Sequence, residues 1–191
     1  MENNQSDLPV TFDIAHTTAH FEQILDLQQQ NHYSSVSTEQ QEQDGFVFAS
    51  HNLELLQLMA QSVPQVIALA GGKVVGYNLA MTAAMEQVLP SLAPMFAEFK
   101  RWSYAGKPLM EYQFIVGGQV CVDTAFRGRG LIKQLYQQTR DLAGAGFEMC
   151  VTEISTRNVN SLKAHQRIGF ELIGVYNDGL ENWNLVVWPF K

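Results

Sequence analysis

The chain has 191 residues, of which 46% are hydrophobic and 16% charged, and this balance is typical of a single globular domain. Its formal net charge of −7 argues against nonspecific binding to nucleic acid or to an anionic membrane, because those surfaces attract an excess of lysine and arginine. The amino terminus is polar and acidic and no apolar run is long enough to cross a bilayer, so we expect a cytoplasmic protein.

The amino-terminal third is predicted to form a strand followed by helices. The strand covers about residues 10–15, and a helical pattern of apolar residues follows it. The polar stretch 34–44 is predicted to be a mobile loop or a frayed helix. A further helix begins after Ser50 or Asn52, either of which is a suitable cap, and it ends before Pro64.

A hairpin and a long connection come next. Apolar runs on both sides of Gly71-Gly72 predict a β-hairpin. Residues 82–112 are predicted to form a long connection that contains helical stretches and a turn at 106–108.

The remaining chain alternates strands and helices. A strand over 113–122 contains the pair Gly117-Gly118, which indicates a bulge or a close backbone approach. A helix that begins near Leu131 is followed by a strand over 147–154 and by a final hairpin within 171–188.

Two cysteines and five histidines are too few and too scattered to predict a metal site. Cys121 and Cys150 lie among apolar residues in predicted strands and are expected to be buried thiols without a disulfide. His16 and His20 are four residues apart, but no third ligand of a suitable kind lies near them. We therefore predict no metal.

A glycine-rich turn joins the strand that ends at Val122 to the helix that begins near Leu131. Gly128 and Gly130 lack a Cβ, so the backbone reaches positive φ and brings its amides close to an anion, which the helix dipole also attracts. This arrangement predicts a diphosphate site, although many α/β folds use such a turn only to change direction. The turn matches neither the dinucleotide fingerprint nor a Gly-Lys-Ser/Thr phosphate loop.

A second motif lies about thirty residues later, from Thr156 to Phe170. The two motifs together resemble those of the GNAT acetyltransferase superfamily. In that family, an Arg/Gln-x-x-Gly-x-Gly/Ala loop binds the pyrophosphate of acetyl-CoA, and an Asn-x-x-Ser/Ala segment that ends in Gly-Phe follows it. The resemblance covers about residues 65–190, and the matching positions are Arg127, Gly130, Asn158, Ser161, Gly169 and Phe170.

The resemblance implies an α/β (α+β) fold with a mixed, mostly antiparallel central sheet, splayed parallel fourth and fifth strands, and flanking helices. It also implies acetyl-CoA, or coenzyme A after transfer, as the acyl-donor cosubstrate. Two positions depart from the family pattern, since Ile132 replaces the second Gly or Ala and His165 replaces a tyrosine that often acts as general acid. The residues expected to bind the cosubstrate are Val120, Cys121, Val122, Arg127, Gly128, Arg129, Gly130, Leu131, Ile132, Asn158 and Ser161.

Acyl transfer to an amine requires the neutral amine, so a nearby base is expected. Glu111, just before the fourth strand, and Glu153, near the end of the fifth, are the candidate bases. The alternative for Glu111 is an ordinary loop carboxylate. The alternative for Glu153 is a strand-end residue that binds the backbone or Arg157.

His165 is the candidate proton donor to the leaving thiolate, because modest environmental shifts keep either form of an imidazole available. The alternative is a helix histidine that packs over the fifth strand. Asn158 is expected to bind the coenzyme arm or to order the start of its helix, and Ser161 to be a phosphate-side hydroxyl or an ordinary helix residue. A backbone amide near Val122 is expected to polarise the thioester carbonyl.

The leading hypothesis is therefore an N-acetyltransferase, with one domain over residues 1–191, that acts on the primary amine of a small molecule. A noncatalytic acyl-CoA sensor and an acetyltransferase for protein amino termini or lysines are the alternatives. GNAT enzymes usually join the strands on either side of residues 82–112 by a much shorter link, so this connection is an insertion. It is expected to form a substrate lid or the dimer surface of a homodimer.

Overall fold

The computed structural model describes residues 8–190, and the strands among them form one mixed sheet and one short ribbon. In chain order the strands are β1 (Val10–Ile14), β2 (Val66–Ala70), β3 (Lys73–Thr82), β4 (Ser103–Tyr104), β5 (Lys107–Pro108), β6 (Phe114–Val122), β7 (Met149–Ser155), β8 (Glu171–Asn177) and β9 (Asn182–Pro189). The seven-stranded sheet has the order β1-β2-β3-β6-β7-β9-β8, and β4 pairs with β5 in the ribbon.

Helices cover both faces of this sheet. They are α1 (Thr18–Asn31), α2 (Thr38–Asp44), α3 (Leu53–Ser62), α4 (Ala93–Phe99), α5 (Leu131–Ala143) and α6 (Val159–Ile168). Neighbouring strands are antiparallel except for the parallel pair of β6 and β7. The predicted fold class is therefore confirmed. None of the helices within residues 8–190 is long and apolar enough to cross a membrane.

Alternate residues of the central strands face two different layers. Val151 of β7 packs in a cluster with residues of α1 and α3, and we call this side of the sheet the α1 face. Cys150 packs instead with Tyr136 of α5, and we call this side the α5 face. Both cysteines are free and buried, as expected.

The parallel strands β6 and β7 pair over only three residues. The register runs from Phe114 opposite Met149 to Val116 opposite Val151, and the two strands diverge beyond that point. The pairing of β6 with β3 shifts register in the same region, where Gly117 lies opposite Ala80 and Gln119 lies opposite Leu79. The glycine pair therefore marks a bulge, as predicted, at the place where the sheet opens.

The polar stretch 34–44 contains a helix, α2, so the helical one of its two predicted alternatives is correct. Ser37 forms a capping box, because its side chain accepts the Gln40 amide while the Gln40 side chain accepts the Ser37 amide. Gly45, at φ 75°, ends the helix. No side chain of α2 is buried, so the apolar pattern that identifies other helices is missing and local capping defines this one.

The insertion 82–112 packs into the α1 face. Phe96 and Phe99 are fully buried and contact each other at a ring distance of 5.5 Å, and Phe99 also meets Phe114 of β6. The turn predicted at 106–108 instead has its centre at residues 105–106, because Lys107 and Pro108 belong to the ribbon. The role of the insertion as a lid or dimer surface stays a prediction.

Trp102 connects the insertion to the edge strand β8. A Cβ built on Gly174 of β8 would overlap the Trp102 ring, so glycine at this position makes room for the indole. The pairing of β8 with β9 also shifts register between Leu172 and Gly174.

Gly174→Ala is expected to destabilise the fold by about 1–3 kcal/mol, because the added methyl must displace a packed indole ring. Urea unfolding measures the free energy. Gly146→Ala is the matched control, since a Cβ there meets no other described heavy atom within 4 Å and its φ is not positive. Equal unfolding midpoints for the two variants would contradict this account of how the insertion is held.

Candidate functional site

The divergence of β6 from β7 leaves part of the β6 main chain facing the gap. The amide of Asp123 binds the carbonyl of Val75 in β3, so in an antiparallel pair the alternate residues Val120 and Val122 direct their main-chain groups away from β3. The Val122 carbonyl accepts a hydrogen bond from Arg127 Nε at 3.1 Å on that side. The gap is therefore lined by peptide groups of β6, and Cys121 presents its peptide groups to β3.

A cavity of about 420 Å³ opens beside this gap, between α5, α6 and the end of α2. We call it the outer cavity. Most of the residues predicted to bind the cosubstrate line it, namely Val120, Cys121, Val122, Arg127, Gly128, Gly130, Leu131, Ile132, Asn158 and Ser161. Arg129 is outside this group, and its guanidinium lies 5.4 Å from the centre of the Phe126 ring.

The two glycines of the turn have the positive φ angles that the sequence predicts. Gly128 has φ 74° and Gly130 φ 75°, and a Cβ on either would meet no other described heavy atom within 4 Å. Gly130 is the amino-terminal cap of α5, and among residues 8–190 no side chain caps this helix end. The first-turn amides of an α-helix lack partners within the helix and carry partial positive charge, so this end suits a bound anion.

Lys133 and Arg167 add positive charge to the rim of the outer cavity, where both side chains are exposed. Arg127 is held differently. Its guanidinium forms an ion pair with Asp44 at 3.3 Å and donates to Asn31 Oδ1 at 2.7 Å. The arginine therefore crosslinks the turn to α1 and α2, and we assign it to the wall of the cavity.

Residues at the start of α6 hold the segment that follows α2. Asn158 donates to the Phe46 carbonyl at 2.7 Å and caps its own helix by accepting the Ser161 amide at 3.2 Å. Asn160 donates to the carbonyls of Glu42 and Gln43. The structure thus shows Asn158 ordering the start of its helix, which was one of its two predicted roles.

A second cavity, of about 190 Å³, adjoins the outer one and extends through the gap between β6 and β7. We call it the inner cavity. Phe46, Val47, Val120, Asn158 and Ser161 line both cavities. On the α5 face the inner cavity is lined by Tyr136 and His165, and on the α1 face by Phe48, Gln119, Glu153 and Trp183.

His165 is buried and both of its ring nitrogens have partners. Nδ1 lies 2.7 Å from the Ser161 carbonyl, which only accepts, so Nδ1 carries the proton. Nε2 therefore accepts from the Tyr136 hydroxyl at 2.8 Å. Burial lowers the pKa of His165 to about 4, so at neutral pH the imidazole is uncharged and Nε2 has no proton to donate.

Glu153 is the only carboxylate among the described residues that line the inner cavity. Burial raises the pKa of Glu153 to about 7, against the opposing effect of the Tyr176 hydroxyl, which donates to Oε2. Arg157, its predicted alternative partner, instead binds Glu181 at 2.6 Å. A carboxyl group with this pKa exchanges a proton readily near neutral pH.

Glu111 is not brought to the gap. It is exposed in the short turn before β6, at the end of the strand where β6 and β7 are paired, and it is not among the described residues that line either cavity. The two carboxylates that the sequence offers as bases therefore occupy different ends of the strands, and only Glu153 lies at the opening.

Sequence reasoning missed several residues of the inner cavity. Tyr136 has an ordinary place on the buried side of an amphipathic helix, so its hydroxyl bond to His165 left no sequence signal. Gln119 did leave one, because a polar side chain directly after a double glycine interrupts an apolar strand. Its amide accepts from Tyr77 and Gln28 and donates to the Ala49 carbonyl.

Comparison with known proteins assigns the family. Residues 21–170 match the model of the acetyltransferase (GNAT) family, so the chain belongs to that family. No curated protein matches the chain closely enough to count as a relative. Membership confirms the expected cosubstrate, which is acetyl-CoA, or coenzyme A after the acyl group has been transferred.

Solved structures share the fold at low sequence identity. The ribosomal-protein-S18-alanine N-acetyltransferase from Escherichia coli is 12% identical with a TM-score of 0.61, over 95% of this chain and 94% of that one. NAA60 from Arabidopsis thaliana, in complex with a bisubstrate analogue, is 13% identical with a TM-score of 0.61, over 95% and 98%. YncA from Salmonella typhimurium, with its cofactor acetyl-CoA, is 18% identical with a TM-score of 0.56, over 96% and 95%.

The protonation of His165 can be measured directly. Because burial disfavours the imidazolium, we expect His165 to stay neutral from about pH 8 to about pH 5 as the Nδ1-protonated tautomer. Long-range ¹⁵N–¹H spectra of the imidazole report both properties, and His165→Gln identifies the signal by its loss. A titration midpoint near 6.5, or a proton on Nε2, would show that the arrangement with Tyr136 and Ser161 is wrong.

Proposed function

We propose that this protein is an N-acetyltransferase that moves the acetyl group of acetyl-CoA to the primary amine of a small molecule. The observation that carries the proposal is the meeting of the two cavities at the gap between β6 and β7. The outer cavity has the features of an anion site, and the inner cavity places a carboxylate of raised pKa on the opposite face of the sheet.

The outer cavity is the proposed site of the coenzyme. Its pyrophosphate is expected to bind the amides of Leu131, Ile132 and Lys133 at the start of α5, which the open glycine turn leaves accessible. The pantetheine arm then extends along the gap, where Val120 and Val122 present peptide groups. This path brings the thioester to the inner cavity.

The proposed reaction uses the two faces of the sheet separately. On the α1 face, Glu153 accepts a proton from the substrate ammonium and leaves the neutral amine. The amine nitrogen attacks the thioester carbonyl carbon and forms the C–N bond, while a β6 amide near Val122 polarises the carbonyl oxygen. The nitrogen then loses its second proton to water, and the C–S bond breaks to release the coenzyme thiolate. The thiolate takes a proton from water, and Glu153 returns its proton to solvent.

For His165 we propose a positioning role in place of proton donation. Its neutral state and its two occupied nitrogens leave no acidic proton at the gap. The pair that it forms with Tyr136 instead joins α6 to α5, and these helices are opposite walls of the outer cavity. The imidazole therefore fixes the width of the coenzyme site.

Protein substrates and pure binding are the competing functions. The small volume of the inner cavity favours a small amine. Acetylation of a protein amino terminus would require the rest of the peptide to extend out of this cavity through an open side. A sensor that binds acetyl-CoA would show affinity without turnover. Cytoplasmic location and a homodimer stay predictions.

Thiol release from acetyl-CoA in the presence of small primary amines, and of peptides with free amino termini, tests the proposal. We expect turnover with small amines that rises as the pH passes about 7, because Glu153 acts in its ionised form. Glu153→Gln is expected to lower kcat/KM by about 10²- to 10⁴-fold and to remove this ionisation. Glu111→Gln is the matched control and is expected to change kcat/KM little.

Full activity of Glu153→Gln would exclude this base. Turnover with peptides alone would favour the protein acetyltransferase, and acetyl-CoA binding without any turnover would favour the sensor.

The role of the helix amides can be tested by removing one of them. Ile132→Pro deletes the amide at the second position of α5, a position at which α4 of this chain has Pro94. Because hydrogen bonds to charged groups contribute about 1.5–3 kcal/mol, we expect a loss of acetyl-CoA affinity of about 10- to 100-fold by calorimetry.

Ile132→Val keeps the amide and is the control for the lost side chain. Circular dichroism verifies that the helix persists in both variants. Equal affinities for Ile132→Pro and Ile132→Val would place the pyrophosphate elsewhere.

A further inference from the structure

The inner cavity has a charge pattern that selects among amines. Among the described residues that line it, Glu153 is the only side chain that carries charge near neutral pH, since His165 is neutral and no lysine or arginine takes part. Arg157 and Arg127 are engaged with other carboxylates. Arg157 binds Glu181 from above the Phe46 ring, and Arg127 pairs with Asp44.

The apolar wall of this cavity is aromatic and fixed in orientation. Phe48 and Trp183 meet edge to face at a ring distance of 5.0 Å, and Phe48 also stacks on Tyr33 at 4.9 Å. The Trp183 indole donates to Asp178 Oδ2 at 2.8 Å, which holds its ring in place. Such a wall favours an apolar or aromatic substituent and also attracts an ammonium group to its ring faces.

Two neutral polar side chains of the lining, one on each face of the sheet, already donate to main-chain carbonyls. The Thr152 hydroxyl donates to the Gly117 carbonyl at 2.7 Å, and the Gln119 amide donates to the Ala49 carbonyl at 2.9 Å. A second negative charge that enters with the substrate would therefore lose its hydration, meet the Glu153 carboxylate and find no cation among the described lining residues.

From this pattern, and on the basis of the proposed acetyltransferase function, we infer that the acceptor is a monoamine with an apolar or aromatic arm and no carboxylate on the carbon that bears the amine. Free α-amino acids are excluded, because their carboxylate lies two bonds from the nitrogen and follows it to Glu153. The acetylated product is a neutral amide that has no charge left for Glu153 to attract.

The test compares 2-phenylethylamine with phenylalanine, which differ by one carboxylate. Phenylalanine is the weaker base and has the larger neutral fraction at a given pH, so a lower rate with it cannot come from protonation of its amine. We expect kcat/KM for 2-phenylethylamine to exceed that for phenylalanine at least about tenfold, measured as thiol release with the full chain.

A matched pair of variants tests the electrostatic cause. Ala49 is exposed at the edge of the inner cavity, so Ala49→Arg supplies a cation there, and Ala49→Gln supplies a long side chain without charge. Ala49→Arg is expected to raise kcat/KM for phenylalanine relative to 2-phenylethylamine, and Ala49→Gln is expected to leave that ratio as it is.

Equal or faster turnover of phenylalanine by the wild-type protein would overturn the inference while leaving the acetyltransferase function intact. The inference would also fail if both Ala49 variants changed the ratio equally. Absence of turnover with every amine, while calorimetry still detects acetyl-CoA binding, would contradict the proposed function and this inference with it.

Discussion

The candidate site depends on one feature of the sheet, namely that the parallel strands β6 and β7 separate after only three paired residues. β6 and β7 pair only as far as Val116 and Val151, and beyond that point the peptide groups of Val120 and Val122 face a gap. Peptide groups are strong hydrogen-bonding groups that need partners, so an opening in the middle of a sheet persists only where something else satisfies them. Part of that need is met by Arg127, which binds the Val122 carbonyl, and part is left for a ligand that lies along the strand.

The opening also separates two electrostatic environments. The outer cavity has the amino-terminal end of α5 and the exposed cations Lys133 and Arg167, whereas the inner cavity has a single carboxylate between aromatic walls. A chain with a net charge of −7 thus concentrates positive potential where a diphosphate would bind and keeps it away from the place where an ammonium would react. The neutral state of His165 maintains this separation at the boundary between the two cavities.

Much of the fold could be predicted because local chemistry determined it. Gly128 and Gly130 identify the turn because they have positive φ, and Gly117-Gly118 identify the bulge because a Cβ at either position would crowd neighbouring atoms. Asn52, one of two predicted caps, begins α3 because its side chain accepts a first-turn amide. For the stretch that forms α2, the sequence left a mobile loop and a frayed helix as alternatives, because this helix buries no side chain. The residues predicted to bind the coenzyme come from two motifs with fixed spacing, and all of them except Arg129 line the outer cavity.

The proposed catalytic side of the site was harder to predict, because it depends on contacts between distant segments. Glu111 and Glu153 look alike in the sequence, and only the position of the gap separates them. His165 alone suggests a general acid, whereas its two partners argue against that role. The Ser161 carbonyl lies one turn earlier in the same helix, but the Tyr136 hydroxyl is brought to His165 only by the packing of α5 against α6. A pKa depends on burial and neighbours, and neither can be obtained from a motif.

The central claim is that the first-turn amides of α5 hold the pyrophosphate of the cosubstrate beside the gap. Titration of the ¹⁵N-labelled protein with acetyl-CoA tests it most directly. The account predicts that the largest amide proton shifts occur at Leu131, Ile132 and Lys133 and move downfield, with further changes at Val120 and Val122. Shifts centred on another surface, with these five amides unchanged, would contradict it.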